Sequence, residues 1–99
     1  MVRRLTVTFS ESAVGDLEDV CDWYTGQGVS DVGARLVAGV IERVEQISAF
    51  PESGRVVPEF ETPWLRELIY PQFRIVYRVD DDRLRVVRVW HSERLMLEP

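Results

Sequence analysis

The sequence predicts a single α+β domain in which a twisted, largely antiparallel sheet packs on a helical hairpin, in the order β-α-α-β-β-β. Three observations predict this order: a short apolar–polar alternation near the N-terminus, two segments with helical periodicity, and a series of alternating segments in the second half. The 99 residues and 45% hydrophobic content suit one domain over residues 1–99.

The first strand and the first helix are predicted from residues 5–24. Leu5 to Phe9 alternates with period two, which is typical of a half-buried strand. Ser10 is a favourable helix N-cap and begins the helix. Apolar residues then recur at helical spacing as one stripe: Ala13, Leu17, Val20, Cys21 and Tyr24. The carboxylates off this stripe are expected to be solvated: Asp16, Glu18, Asp19 and Asp22.

The second helix is predicted to follow a glycine-containing break at 26–28 and to end before Pro51, because proline disfavours helical geometry in the residue before it. Ser30 and Asp31 are N-cap candidates. The small residues around Gly39 predict a close approach of the two helices. The short link predicts an antiparallel hairpin.

Three strands are predicted after an irregular stretch, and they span residues 64–70, 73–79 and 84–91. The acidic run 80–82 forms the turn before the last strand. Val86, Val87 and Val89 are nearly contiguous. We interpret this run as a strand covered on both faces.

Charge and cysteine content limit the function classes. Seventeen acidic residues against twelve basic ones, all arginine, give a net charge of -5. Nucleic-acid contact would therefore be local, because affinity depends on neutralising phosphates. The single cysteine, Cys21, excludes an internal disulfide and a multi-cysteine metal site. With no secretion signal and no apolar 18-residue run, we expect a cytoplasmic protein without membrane association. We also expect no metal and no cofactor.

Five local strings carry a resemblance to a known family. They are Ala13 to Tyr24, Phe50 to Arg55, Leu65 to Glu67, Tyr70 to Val79 and Arg88 to His91. Their order and spacing resemble the RelE/ParE superfamily of bacterial toxins across nearly the whole chain. The resemblance implies a small α+β toxin of a type II toxin–antitoxin system, neutralised by a cognate antitoxin. It leaves open whether the chain forms a homodimer or a toxin–antitoxin hetero-oligomer.

The resemblance also implies two mechanisms, mRNA cleavage on the ribosome and inhibition of DNA gyrase. By position, Glu59, Arg74 and His91 match the acid, arginine and histidine of the YoeB-like nucleases in this superfamily. In that metal-free scheme, Glu59 accepts the 2'-hydroxyl proton, Arg74 stabilises the phosphate and His91 protonates the leaving oxygen.

Three departures from the nuclease pattern favour the ParE-like mechanism. Ser92 follows the histidine where those nucleases end in tyrosine, the chain has no lysine for the RelE-like set, and its balance is acidic. We therefore predict a ParE-like toxin that inhibits growth by binding a target such as DNA gyrase and takes part in plasmid stabilization. A ribosome-dependent endoribonuclease and an inactive relic that only binds antitoxin remain the alternatives.

Binding candidates come from the arginines and tryptophans. Strand registers decide whether five arginines share one side of the sheet, as an anion-binding patch or a docking surface for an acidic antitoxin. These are Arg66, Arg74, Arg78, Arg85 and Arg88. Trp23 lies near the edge of the first helical stripe and marks a binding surface if exposed. Trp64 and Trp90 are expected in the core.

Overall fold

The computed structural model describes residues 4–58, 60, 62–71 and 73–91. The elements are β1 Thr6–Phe9, α1 Glu11–Gly26, α2 Ser30–Ile47, β2 Arg55–Val56, β3 Leu65–Tyr70, β4 Phe73–Val79 and β5 Arg83–His91. The predicted order is confirmed, with one addition. The two-residue strand β2 lies in the stretch that was predicted to be irregular, after a single 3-10 turn at Pro51–Ser53.

The five strands form one sheet in the order β1-β5-β4-β3-β2. β1 runs parallel to β5, and every other neighbouring pair is antiparallel. A parallel pair needs a long crossover, and here the helices and the other strands supply it. The helical hairpin thus connects β1 at one edge with β2 at the other.

The core lies between the two helices and one face of the sheet. Its buried members are Ala13, Val40, Val44, Ile47, Leu68, Phe73, Ile75, Tyr77, Leu84, Val86 and Val89. Each buried aliphatic side chain contributes about 1.5–3 kcal/mol relative to exposure, so this cluster holds the hairpin to the sheet. We call this side of the sheet the core face and the opposite side the outer face.

Helix α1 begins where it was predicted to begin. The Ser10 hydroxyl accepts the Ala13 N–H at 3.0 Å, which caps the helix. The same hydroxyl donates to the carbonyl of Val87 at 2.9 Å. One side chain therefore fixes the start of α1 against β5.

Helix α2 begins without the side-chain cap that was predicted. Its N-cap is Val29, and neither Ser30 nor Asp31 caps it, since both lie inside the first turn. Gly28 has φ +79°, in the left-handed region that glycine tolerates. The Val29 N–H bonds to the Tyr24 carbonyl at 2.9 Å. This tight backbone connection sets the start of α2 in place of a cap.

The helices approach closely at Gly33, whereas the sequence pattern placed the approach around Gly39. A Cβ atom at Gly33 would lie 3.0 Å from Tyr24 Cβ and 3.4 Å from Cys21 Cα. At Gly39 an added Cβ would lie 2.3 Å from the hydroxyl oxygen of Tyr70. Gly39 therefore makes room for a tyrosine of the sheet and not for α1.

A register shift changes the phase of β5. Val76 pairs with Arg88, but the next residue, Tyr77, pairs with Val86, so Val87 has no partner on β4. One extra residue in a strand reverses the side on which all later side chains lie. Val86 and Val89 are therefore both in the core, although three positions apart. The nearly contiguous valines therefore mark a bulge in the strand.

The turn at Pro51–Ser53 is attached to the sheet by a buried tyrosine. The Tyr77 hydroxyl donates to the carbonyl of Pro51 at 2.8 Å and accepts the Gly54 N–H at 3.0 Å. A Cβ at Gly54 would lie 2.2 Å from that hydroxyl and 2.7 Å from the backbone oxygen of Glu67. Only glycine fits this position, because neither the buried ring nor the strand backbone can move away cheaply.

We expect Gly54→Ala to lower the free energy of unfolding by about 1–3 kcal/mol, because the added methyl group overpacks the turn. The matched control is Gly15→Ala in α1, where nothing lies within 4 Å of an added Cβ. That change should stabilise the protein by about 0.5–1 kcal/mol through helix propensity. Urea unfolding monitored by circular dichroism measures both, and effects of the same sign would contradict this view of the turn.

Candidate functional site

The outer face of the sheet carries three rows of side chains that run across the strands. The strand registers give the rows as Leu65–Arg78–Arg85, Glu67–Val76–Arg88 and Ile69–Arg74–Trp90. Four of the five candidate arginines thus share this face. Arg88 and Trp90 lie here only because of the bulge at Val87, which moves them away from the core face.

A buried carboxylate lies in the middle row. Glu67 is fully buried, and it accepts hydrogen bonds from Arg55 at 2.5 Å and from Arg74. The Arg74 side chain is 19% exposed, whereas the Arg55 side chain is 66% exposed. Charge-assisted bonds of this kind are needed to keep an ionised carboxylate out of water. Glu67 therefore fixes the position of Arg74.

Two guanidinium groups lie close to the Trp90 ring. The Arg88 Cζ is 5.1 Å from its ring centroid, and the Arg74 Cζ is 5.7 Å away. Both distances are within the range of cation–π attraction. The expectation that Trp90 is a core residue is therefore wrong in placement, because its ring is half-buried under arginines on the outer face.

Asp16 of α1 joins the helix to this cluster. Its carboxylate accepts two bonds from the Arg88 guanidinium, each at 2.9 Å, and one from the Val89 N–H at 2.8 Å. The hydrogen bond to Asp16 raises the pKa of the Arg88 guanidinium, while desolvation opposes that shift. The Asp16 side chain is only 12% exposed, so the expectation of a solvated carboxylate is wrong here. Asp16 caps the part of β5 that extends beyond β1.

The other end of the outer face is more exposed. The Arg78 guanidinium stacks over Trp64 at 5.0 Å and pairs with Asp80 at 3.2 Å. Trp64 is 50% exposed and is a surface residue, contrary to the expectation that it belongs to the core. Arg85 lies directly opposite Arg78 on the neighbouring strand.

Arg66 does not join the other four arginines. It pairs across the sheet with Tyr77 and so belongs to the core-face side of β3. Its guanidinium donates to the carbonyl of Gly54 at 2.9 Å and to that of Glu52 at 3.3 Å. Arg66 therefore holds the turn before β2 and is removed from the arginine-bearing surface.

Trp23 is exposed on α1, as the binding hypothesis required. Its side chain is 60% exposed, and its ring packs edge-to-face on Tyr24 with centroids 4.8 Å apart. Trp23 lies on α1, whereas Arg78 lies on β4. It stays a separate binding candidate.

The three nuclease candidates are only partly described. Glu59 lies outside the described residues. The backbone of His91 pairs with Phe73 at the end of β5, and its side chain also lies outside the described part of the chain. Arg74 lies within the described residues, and its guanidinium is bonded to Glu67 and lies over the Trp90 ring.

Sequence reasoning missed the two carboxylates that organise this site. Asp16 and Glu67 look like ordinary surface acids in the sequence, but Asp16 binds Arg88, which is distant along the chain, and Glu67 binds Arg74 on the neighbouring strand. The only signal was that each falls inside a string resembling the superfamily. Their roles depend on which strands meet, and periodicity does not give that information.

Comparisons with known proteins agree with this fold. The model of the ParE toxin of the type II toxin–antitoxin system parDE matches residues 7–96. The chain belongs to the ParE toxin family. A curated relative, Toxin RelE2 of Caulobacter vibrioides, is 31% identical to this ParE-family toxin over 90 residues, which cover 90% of this chain and 97% of the relative.

Two solved structures share the fold of this ParE-family toxin. The chromosomal ParDE toxin–antitoxin system from P. aeruginosa has a TM-score of 0.74 at 20% identity, covering 89% of this chain and 96% of that one. The toxin–antitoxin complex RelBE2 from Mycobacterium tuberculosis has a TM-score of 0.68 at 22% identity, with coverage of 92% of this chain and 94% of that one.

Within the described residues, neither helix is long and apolar enough to span a membrane.

We expect Glu67→Gln to lower the free energy of unfolding by about 3 kcal/mol, because it removes the charge that offsets the largely buried Arg74 guanidinium. The control is Asp80→Asn, which removes one partner of an exposed pair and should change stability by less than about 0.5 kcal/mol. Urea unfolding of both variants at neutral pH tests this difference. Equal effects would mean that Glu67 does not hold the outer face together.

Tyr77 gives a prediction for alkaline pH. Burial raises the pKa of its hydroxyl, and the bond from the Gly54 N–H and the charge of Arg66 oppose this shift. The unfolded state therefore loses the proton first, so the stabilisation is complete below about pH 10 and is lost as the pH rises through the folded pKa. Tyr77→Phe should be less stable by about 1–3 kcal/mol at neutral pH, because the Gly54 N–H is left buried and unpaired.

Unfolding free energies measured from neutral to alkaline pH test this assignment. Those of the wild type should fall more steeply than those of Tyr77→Phe, so that the two curves converge above about pH 10. The chain contains no lysine, so lysine titration does not obscure the comparison. Curves that stay parallel would show that Tyr77 titrates normally.

Proposed function

We propose that this ParE-family toxin stops growth by binding a target protein such as DNA gyrase, without cutting a covalent bond, and that a cognate antitoxin neutralises it. The family model supports the ParE-like choice, since it matches 7–96. The two solved structures of the same fold are both described as toxin–antitoxin systems or complexes, which supports an antitoxin partner.

The observation that carries the choice of mechanism is the environment of Arg74. A nuclease of the YoeB-like kind would need this guanidinium to meet a crowded phosphate. Here the side chain is 19% exposed, hydrogen-bonded to the buried Glu67 and stacked on Trp90. The guanidinium is already bonded to a carboxylate, so a phosphate would have to compete with that carboxylate for it. This arrangement favours a structural role for Arg74.

The overall charge supports the same choice. A protein at -5 repels RNA at long range, and helix α1 has five acidic residues and no basic one. Binding to a large polyanion such as the ribosome depends strongly on the number of phosphates neutralised. A protein target makes no such demand.

Induction of the chain without antitoxin tests the proposal. We expect growth to stop, plasmid supercoiling to change and transcripts to stay intact. Plasmid topoisomers separated on chloroquine gels and mapping of mRNA 5' ends measure these effects from the same cultures. Codon-specific mRNA cuts with normal supercoiling would replace this mechanism with the endoribonuclease, and unimpaired growth would favour an inactive relic.

The variant His91→Ala separates the two mechanisms further. The proposed mechanism predicts that it remains toxic, because no proton is transferred to a leaving oxygen. Its matched control is Arg35→Ala on α2, where the side chain is 76% exposed. Relief of toxicity by His91→Ala alone, with an unchanged melting temperature, would contradict the proposal.

A further inference from the structure

We propose that the outer face around Arg78 and Arg85 is a docking surface for an acidic segment of a partner protein, with apolar side chains between its carboxylates. The inference goes beyond the proposed function by naming the surface and the chemistry of its ligand. It rests on the proposed function only in taking the partner to be the antitoxin. The binding measured below is independent of toxicity.

The first argument is an unfavourable pair within the sheet. Arg78 and Arg85 lie directly opposite each other on β4 and β5, and like charges in such positions destabilise a sheet. Asp80 pairs with Arg78, while Arg85 has no carboxylate partner among the described residues. The chain has seventeen acidic residues, so a carboxylate at one of these positions would have been an available alternative. A carboxylate from outside would remove the repulsion.

The second argument is the apolar surface beside these arginines. Trp64 is 50% exposed and lies under the Arg78 guanidinium, and Ile69, two rows away on the same face, is 55% exposed. Tryptophan and arginine together are the residues most enriched at the energetic centres of protein interfaces. A ligand that carries both carboxylates and apolar side chains matches this mixture.

The third argument is the contrast between this face and the rest of the chain. Arg74, Arg78, Arg85 and Arg88 lie on one sheet face, whereas α1 contains only acidic charges. The Arg78 side chain is 51% exposed, so it can reach a ligand. Because the whole chain is at -5, a short acidic segment that contacts only this face suits it better than a long polyanion.

Fluorescence anisotropy at low ionic strength tests the inference with a short labelled peptide rich in glutamate and leucine. We expect this peptide to bind the wild type and to bind Arg85→Glu about tenfold more weakly or worse, since a charge is reversed at the contact. The melting temperature of Arg85→Glu should be equal or higher, because the new carboxylate faces Arg78. Weaker binding with undiminished stability is a combination that a merely structural role for Arg85 would not give.

One control makes the same charge change at another site of the protein, and a second removes the charges of the peptide. Arg35→Glu makes the same change in net charge on the exposed surface of α2 and should bind the peptide like the wild type. A peptide with glutamine in place of glutamate should bind more weakly. Equal binding of the peptide to all three proteins, or no binding to the wild type, would overturn the proposal. Tighter binding of a single-stranded RNA of equal length, lost in Arg85→Glu, would overturn it in favour of a nucleic-acid surface.

Discussion

Strand β5 contacts different parts of the protein along its length, and the bulge at Val87 allows all of these contacts to form. Its first half pairs with β1, and beyond that point Ser10 and Asp16 of α1 bond to its backbone. The extra residue changes the phase of the strand, so that Val86 and Val89 both enter the core. The same change puts Arg88 on the outer face. One backbone irregularity therefore decides which side chains of β5 lie in the core and which lie on the outer face.

The outer face is held together by arginines bonded to two carboxylates that are largely withdrawn from water. Glu67 binds Arg74, and Asp16 binds Arg88. Both guanidiniums also lie close to the Trp90 ring. Removing Glu67 or Asp16 takes a charged hydrogen-bond partner away from a partly buried arginine, which costs more than the loss of an exposed pair. Contacts of this kind position the arginines before any partner arrives, and pre-organised side chains lose less entropy on binding.

Two parts of the outer face differ in the way their arginines are used. At the Trp90 end, the guanidiniums of Arg74 and Arg88 are occupied by carboxylates of the chain itself. At the Trp64 end, Arg78 and Arg85 stand opposite each other, a local conflict that natural sequences retain mostly where function requires it. The first part acts as structure, and the second is the proposed docking surface. The family relationship is compatible with both.

Much of the fold was determined by the sequence alone, because periodicity and capping are local properties of the chain. The order of elements, the Ser10 cap and the helical hairpin follow from spacing and from side chains next to the backbone they bond. The tertiary structure alone decided that Gly39 faces Tyr70, that Asp16 binds Arg88 and that Glu67 binds Arg74. It also decided which arginines share a face, because strand register and a one-residue bulge are set by packing between segments distant along the chain.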